Sequence, residues 1–233
     1  MGAVFKRELR AYFTSPIGYF VMIIYGVLYG FLFSRLFRSG SPAINVLFSY
    51  SFTVTLFIIP VITMRLFSEE RRQKTDQALF TAPVGLTSIV FGKFFAAWAM
   101  FGLTQLITVV FELIFAFNVS VDMIGYICYL IGAAGVSASL IAVGMFISSL
   151  TDSQILAAVG SIAVSVMLAM MDTFAQLTSV RWLVSAANWL SFSSRFDTFL
   201  SGVLDYANVA YFISFAAVFI FLTVRIQEKR RWS

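Results

Sequence analysis

The sequence predicts an all-α polytopic membrane protein with six transmembrane helices. Of its 233 residues, 60% are apolar and only 12% are charged, about half the charged share of a typical soluble domain. The apolar residues form long runs, and the basic residues gather in the segments on one side of those runs. Three shorter elements complete the prediction: an interfacial helix at the N-terminus, a short cytoplasmic helix, and short outer-leaflet helices before the last span.

The transmembrane helices follow from hydropathy. A bilayer core of about 30 Å requires roughly 20 helical residues. The predicted spans are residues 17–34, 46–64, 86–117, 123–149, 155–171 and 206–224. The third run would measure about 48 Å as one straight helix, so it must tilt or extend beyond the membrane.

The N-terminal segment, residues 1–15, has the pattern of an amphipathic helix. Its apolar residues recur at helical spacing, and its basic residues fall largely on the other face. These residues are Phe5, Leu9, Tyr12 and Phe13 on the apolar face, and Lys6, Arg7 and Arg10 on the basic face. The pattern predicts a helix in the cytoplasmic interface, which Ser15 and Pro16 would end. An ordinary basic flank is the alternative.

Residues 172–204 are too long for a tight loop and too polar for two further spans. Trp182 and Trp189 are typical of the membrane interface. Phe196 and Phe199 begin an apolar pattern at helical spacing. We predict extracytoplasmic helices that re-enter the outer leaflet or cap the bundle.

The basic residues predict the orientation. The segments 1–15, 65–93 and 225–231 carry twelve of the sixteen Lys and Arg residues, which places both termini and the segment after the second span in the cytoplasm. Two cytoplasmic termini require an even number of spans, and six satisfies this. The basic charge is therefore a topology signal and a surface for anionic membrane lipids, and no nucleic-acid partner is predicted.

The motifs of several enzyme classes are missing from the sequence. Gly92-Lys93 is the only Gly-Lys pair, and its surroundings do not form a Walker A motif. With no His and one Cys, the usual zinc ligands are lacking. A serine nucleophile would have no His as its base. We predict that this chain holds no catalytic residue, no metal and no cofactor.

Glu112 is the clearest ionisable residue inside a predicted span. Gln105 precedes it by seven residues, on about the same helix face. A carboxyl within the membrane is costly and is a functional candidate. We therefore name Gln105 and Glu112 as an intramembrane polar site that contacts substrate or a coupling ion. The alternatives are a structural role and contact with interfacial water near the helix end.

The polar insert between the second and third spans has the features of a docking element. Ser68 would cap a helix over residues 68–80, with Glu69 and Glu70 in its first turn. The remaining charged, apolar and terminating residues are Arg71, Arg72, Lys74, Ala78, Leu79, Phe80, Pro83 and Gly85. Such a helix would pass force from a soluble partner into the bundle. The alternative is a basic loop that only sets topology.

The stretch EERRQKTDQALFTAPVGLTSIVFGKFFAA, residues 69–97, resembles the signature of type-2 ABC exporter permeases. In that family an E-[KR]-x-x-G-T-x-x-x-L-x-[ST]-x-P run leads into a third span that carries a Gly-Lys pair. The matching residues are Glu70, Arg71, Thr75, Leu79, Thr81, Pro83, Gly92 and Lys93. Lys74 stands where the family often has Gly.

Residues 194–212 resemble the H-F-x-x-F-x-x-G-V-[IL]-D segment of the gliding-motility-associated, GldF-like branch of that family. The matching residues are Phe196, Phe199, Gly202, Val203, Leu204 and Asp205. Arg195 replaces the His of that segment. The resemblance extends over nearly the whole chain.

The resemblance implies a permease subunit in a bacterial inner membrane, paired with a second permease subunit as a homo- or heterodimer. Two cytoplasmic ATPase subunits would bind ATP and Mg and power export, and an accessory protein with an extracytoplasmic domain would join them. Residues 1–15 would be the elbow helix. The implied coupling residues are Ser68, Glu69, Glu70, Arg71, Arg72, Thr75, Leu79, Phe80 and Pro83. An ion-coupled transporter or channel and a membrane scaffold remain the alternatives.

Overall fold

The computed structural model describes residues 1–39, 44–74, 85–117, 123–177 and 180–231. Within these ranges the chain is helical and has no strand. The helices are α1 (Gly2–Thr14), α2 (Pro16–Ser39), α3 (Ile44–Thr63), α4 (Ser68–Arg72), α5 (Leu86–Ala116), α6 (Met123–Leu150), α7 (Gln154–Ala169), α8 (Met171–Leu177), α9 (Arg181–Leu190), α10 (Phe192–Leu200) and α11 (Tyr206–Arg231).

Five of the described helices are long and apolar enough to cross a membrane, namely α2, α3, α5, α6 and α11. A sixth crossing would consist of α7 and α8 together, which meet at a bend of 57°. The bend divides the predicted span 155–171, because α7 ends at Ala169. Its 16 residues reach about 24 Å, which is short of a bilayer core. The protein is therefore a multi-pass helical membrane protein with five or six candidate spans.

Aromatic side chains fill the interior of the bundle. Tyr25 on α2 and Tyr129 on α6 are completely buried. The outer surface is apolar as well: Ile23 and Val27 of α2, for example, are each 63% exposed. Large exposed apolar faces on long helices are suited to lipid rather than to water.

Glycines on α2 and α6 let the helices approach one another closely. A Cβ at Gly30 would lie 3.1 Å from the Phe111 ring of α5, and a Cβ at Gly144 of α6 would collide with Thr63 of α3. These small residues therefore serve packing inside one protomer.

The N-terminal residues form a packed helix rather than a loose basic flank. The Tyr12 hydroxyl is buried and donates to the Ile62 carbonyl at 2.9 Å. Arg65 donates to Ser15 Oγ at 2.6 Å, and its guanidinium lies over the Tyr12 ring. These contacts join α1 to the end of α3.

The segment before the last span forms three short helices, of which α10 is deeply inserted. Phe192, Phe196 and Phe199 are each at most 1% exposed. The Phe196 ring stacks on Phe52 of α3 with centroids 4.8 Å apart. By this insertion α10 caps the bundle between α3 and α6.

By contrast, α9 buries none of its side chains, and Trp182 and Trp189 are 70% and 63% exposed. Arg195 of α10 connects α9 to α11. The Arg195 guanidinium donates to the Trp189 carbonyl at 3.0 and 3.1 Å and to Asn208 Oδ1 at 2.8 Å. It also lies over the Tyr211 ring at 3.9 Å.

Candidate functional site

One end of the bundle holds α1, α4, the start of α5 and the end of α11, and we refer to it as the basic end. The predicted docking helix lies here, but it is shorter than expected. The helix ends at Arg72, and Lys74 has a positive φ of 56°. This left-handed residue breaks a right-handed helix, so the prediction of one helix over 68–80 is wrong. The predicted contact residues Thr75, Leu79, Phe80 and Pro83 lie outside the described residues.

The prediction that Ser68 caps this helix is also wrong. Phe67 occupies the N-cap position and makes no side-chain cap. Instead, Ser148 Oγ of α6 accepts the backbone N–H groups of Phe67 and Ser68, both at 3.2 Å. The hydroxyl of Ser68 donates backwards to the Met64 carbonyl. The backbone N–H groups at the start of α4 thus donate to a residue that lies 80 positions away in the sequence.

Four charged residues from three helices form a compact ionic cluster at the basic end, made of Arg7, Glu8, Glu70 and Lys93. The ammonium of Lys93 is 3.1 Å from Glu8 and 2.9 Å from Glu70. It also donates to the Leu66 carbonyl at 2.7 Å. An ammonium has three protons, and here each has an acceptor. The Lys93 side chain is only 1% exposed.

The two acids of the ionic cluster share a second cation on the outer side. Arg7 Nη2 is 2.7 Å from Glu8 and 3.0 Å from Glu70. Burial alone would raise the pKa of Glu8, but the charge of Lys93, followed by Arg7, lowers that pKa below its ordinary value. Glu8 is therefore ionised at neutral pH, and the charges of the cluster balance.

Lys93 matches the Gly-Lys pair of the family signature, but it was not named as a site residue, because it is a single basic residue at the start of a long apolar run. The available signal was its neighbour Gly92. A Cβ at Gly92 would lie 2.9 Å from the Val4 side chain, so the glycine lets α1 lie directly against α5. This contact brings Glu8 to Lys93.

The other charges of α4 are also used inside the protomer. Arg65 pairs with Glu69 at 3.2 Å. Arg71 pairs with Asp152, in the connection between α6 and α7, and donates to the Leu150 carbonyl at 3.1 Å.

Arg72 is exposed, and within the described residues it makes no ion pair. The short helix α4 is thus fastened to α1, α5, α6 and the α6–α7 connection.

The second predicted site lies inside the bundle, where α2, α3, α5 and α6 meet. Gln105 Oε1 accepts from the Tyr25 hydroxyl at 3.0 Å and from the Tyr129 hydroxyl at 3.3 Å. Ser51 Oγ bridges the same two tyrosines at 2.6 and 2.5 Å. Three hydroxyl protons are shared among these four contacts, so Gln105 belongs to a connected cluster of buried polar groups.

Glu112 is 4% exposed, so the alternative that it reaches interfacial water is wrong. Its Oε1 accepts from the Tyr29 hydroxyl at 3.3 Å. Within the described residues, no Lys or Arg lies within ion-pair distance of Glu112, and neither Glu112 Oε2 nor Gln105 Nε2 has a hydrogen-bond partner. Buried polar groups of this kind are rare and require an explanation.

The helices, the apolar outer faces and the polar groups confined to one end and one internal cluster define a multi-pass membrane protein. In the described ranges no group of three metal-binding side chains occurs. Residues 34–226 match the family model described as ABC-2 family transporter protein, and the chain belongs to this family. Its members are membrane subunits that normally work with a cytoplasmic ATPase subunit and are not ATPases themselves. No curated protein matches the chain significantly.

Proposed function

We propose that this chain is the permease subunit of an ATP-binding cassette transporter. It moves or extracts a substrate across the membrane with energy from ATP that a separate cytoplasmic subunit hydrolyses. The observation that carries the proposal is the attachment of α4 to α1, α5 and α6, in the segment that also carries the family signature. A loop that only sets topology needs no such attachment.

The contacts of α4 support a route for the force. The exposed side of residues 68–74 seats in a cleft on the ATPase, as a coupling helix. Movement of α4 then acts on α5 through Lys93, and on the α6–α7 connection through Arg71 and Asp152. As the elbow helix, α1 moves with them, since Arg7 and Glu8 share the ionic cluster.

The finer assignments rest on the resemblance. The complex contains two permease subunits and two ATPase subunits, with ATP and Mg on the ATPases. It belongs to the GldF-like branch, works in export across a bacterial inner membrane, and includes an accessory protein with an extracytoplasmic domain. The match at 196–205 supports the branch, although Arg195 departs from its pattern.

The test is co-expression of this chain with the ATPase encoded beside it. We expect the two proteins to co-purify in detergent, and reconstitution of the complex in nanodiscs to change the rate of ATP turnover. Transport by the permease alone, without any ATPase, would establish the ion-coupled alternative. If this chain instead assembles with other proteins into a complex that has no transport activity, that result would favour the membrane scaffold.

The orientation is tested by cysteine labelling in intact cells, in a variant without Cys128. We expect Gln73→Cys, at the basic end, to be protected from an impermeant reagent. Ser185→Cys, on the exposed surface of α9, should react. The physical reason is the excess of basic residues, which resist translocation. The reverse labelling pattern would overturn a cytoplasmic basic end.

The polar cluster around Gln105 and Glu112 is proposed as the place where substrate or a coupling ion meets the permease. Two buried polar atoms without a partner support this. We expect Glu112→Gln to reduce transport at least about tenfold, a change of about 1.4 kcal/mol, because it removes the ionisable carboxyl at nearly constant shape. Assembly with the ATPase should be unchanged.

Ser161→Ala is the matched control for this prediction, since Ser161 Oγ is likewise buried and without a partner in the described structure. It should transport normally. Normal transport by Glu112→Gln would leave the carboxyl with a structural role only.

A further inference from the structure

A long apolar groove runs along the outside of the bundle, between α5, α6 and α11. Its volume is about 740 Å³. Phe91, Phe95 and Trp98 of α5 form one wall, and small residues of α6, such as Ala134, form the floor. The other wall belongs to α11, where residues 209–228 line the groove. Such a stretch of helix measures about 28 Å, close to the thickness of the hydrocarbon core.

The groove is already formed in the isolated chain. The Trp98 indole donates to the Ala134 carbonyl and to Ser137 Oγ, both at 3.2 Å. These hydrogen bonds fix the Trp98 ring between α5 and α6. A rigid wall reduces the entropy lost when an occupant binds.

The polarity of the groove changes along its length. Arg225 and Glu228 line it at the basic end, together with Thr87. The lining residues toward the opposite end, such as Ile213, are apolar. Arg225 pairs with Glu228 at 2.8 Å, but residues 225–231 contain four basic residues and one acid. The two charged lining residues therefore balance, and the positive charge near the mouth comes from Lys229, Arg230 and Arg231, which follow directly along α11.

We propose that this groove binds one acyl chain of an anionic phospholipid, with the headgroup at Arg225. The occupant is drawn from the leaflet at the basic end. An amphiphile with a negative head and an apolar tail fits the basic residues at the mouth and the apolar lining. Because the hydrocarbon core of about 30 Å holds two leaflets, one acyl chain fills the half of the groove nearest the basic end. This inference does not depend on the partner ATPase or on ATP.

The test uses the fluorescence of Trp98 in the full chain, with Trp182, Trp189 and Trp232 replaced by Phe. The protein is reconstituted in phosphatidylcholine bilayers that contain dibrominated phosphatidylglycerol or dibrominated phosphatidylcholine. Bromine on the acyl chain quenches a tryptophan that it contacts. We expect the anionic lipid to bind about fivefold more tightly, as is typical of one basic residue at a membrane surface.

Two pairs of variants separate the headgroup from the groove. Arg225→Gln should reduce the ratio of the affinities for the anionic and the zwitterionic lipid to about one. Arg10→Gln, at an exposed position on α1, should leave this ratio unchanged. Ala217→Phe fills the groove and should remove most of the quenching. Val218→Phe, on the same helix but outside the lining, should not.

Three results would overturn the proposal. The first is equal quenching by the two lipids in the parent protein. The second is unchanged quenching in Ala217→Phe when circular dichroism shows normal helix content. The third is weak quenching by both lipids that increases as the protein is diluted in the bilayer, because that would show a second copy of the chain on the groove.

Discussion

Replacement of Lys93 by Met should lower the free energy of unfolding by about 3 kcal/mol and abolish ATP-driven transport. The ammonium of Lys93 is buried and serves Glu8, Glu70 and the Leu66 carbonyl. Its removal leaves the carboxylates of Glu8 and Glu70 close together, with the half-exposed Arg7 bridging them. Thermal unfolding in detergent and transport in proteoliposomes measure the two effects.

Lys6→Met is the control for this prediction, since Lys6 lies on the exposed side of α1. A second variant, Glu8→Gln with Lys93→Met, removes one acid as well and should recover part of the lost stability. If Lys93→Met is as stable and active as the parent, the ionic cluster does not hold α1, α4 and α5 together.

Arg72→Glu combined with Phe80→Ala should weaken binding of the ATPase about 100-fold, which corresponds to about 2.7 kcal/mol. An exposed charge contributes below about 1 kcal/mol, and an aromatic anchor at an interface contributes roughly 2 kcal/mol. Arg72 is the exposed charge of α4, and Phe80 is predicted from the sequence as the anchor. Binding to immobilised permease measures the effect.

The control repeats the same chemistry at the opposite end, with Arg181→Glu and Trp182→Ala. Both residues are exposed on α9, so this pair should bind the ATPase normally. Glu70→Arg is unsuitable as a docking variant, because it would place a third cation beside Arg7 and Lys93. Unchanged binding by Arg72→Glu with Phe80→Ala, in a normally folded protein, would exclude residues 68–80 as the docking element.

The sequence was sufficient for the helical class because hydropathy is a property of long runs. The predicted span 155–171 was less accurate. The helix breaks between Ala169 and Met171, where the sequence contains no Pro or Gly that would indicate a bend. The face shared by Gln105 and Glu112 followed from helical spacing alone. Their tyrosine partners come from other helices, and only tertiary packing brings them there.

The docking element shows the same division. The sequence groups its acids and bases and predicts that they contact a partner. The structure shows that Glu69, Glu70 and Arg71 pair within the protomer. Their partners are Arg65, Lys93 and Asp152. Lys93 follows Glu70 by 23 residues and Asp152 follows Arg71 by 81 residues, so neither pairing leaves a local signal in the sequence.

The hydroxyl of Ser148 has a consequence for biogenesis. A helix of five residues has no stability of its own in water, and within the described residues Ser148 of α6 accepts the backbone N–H groups of Phe67 and Ser68 at the start of α4. We therefore expect α4 to form only after α6 has brought Ser148 into place. A chain that is truncated or inserted wrongly before residue 148 does not present the finished platform. If α4 is the coupling helix, as proposed, an ATPase would engage only permeases whose first four long helices are assembled.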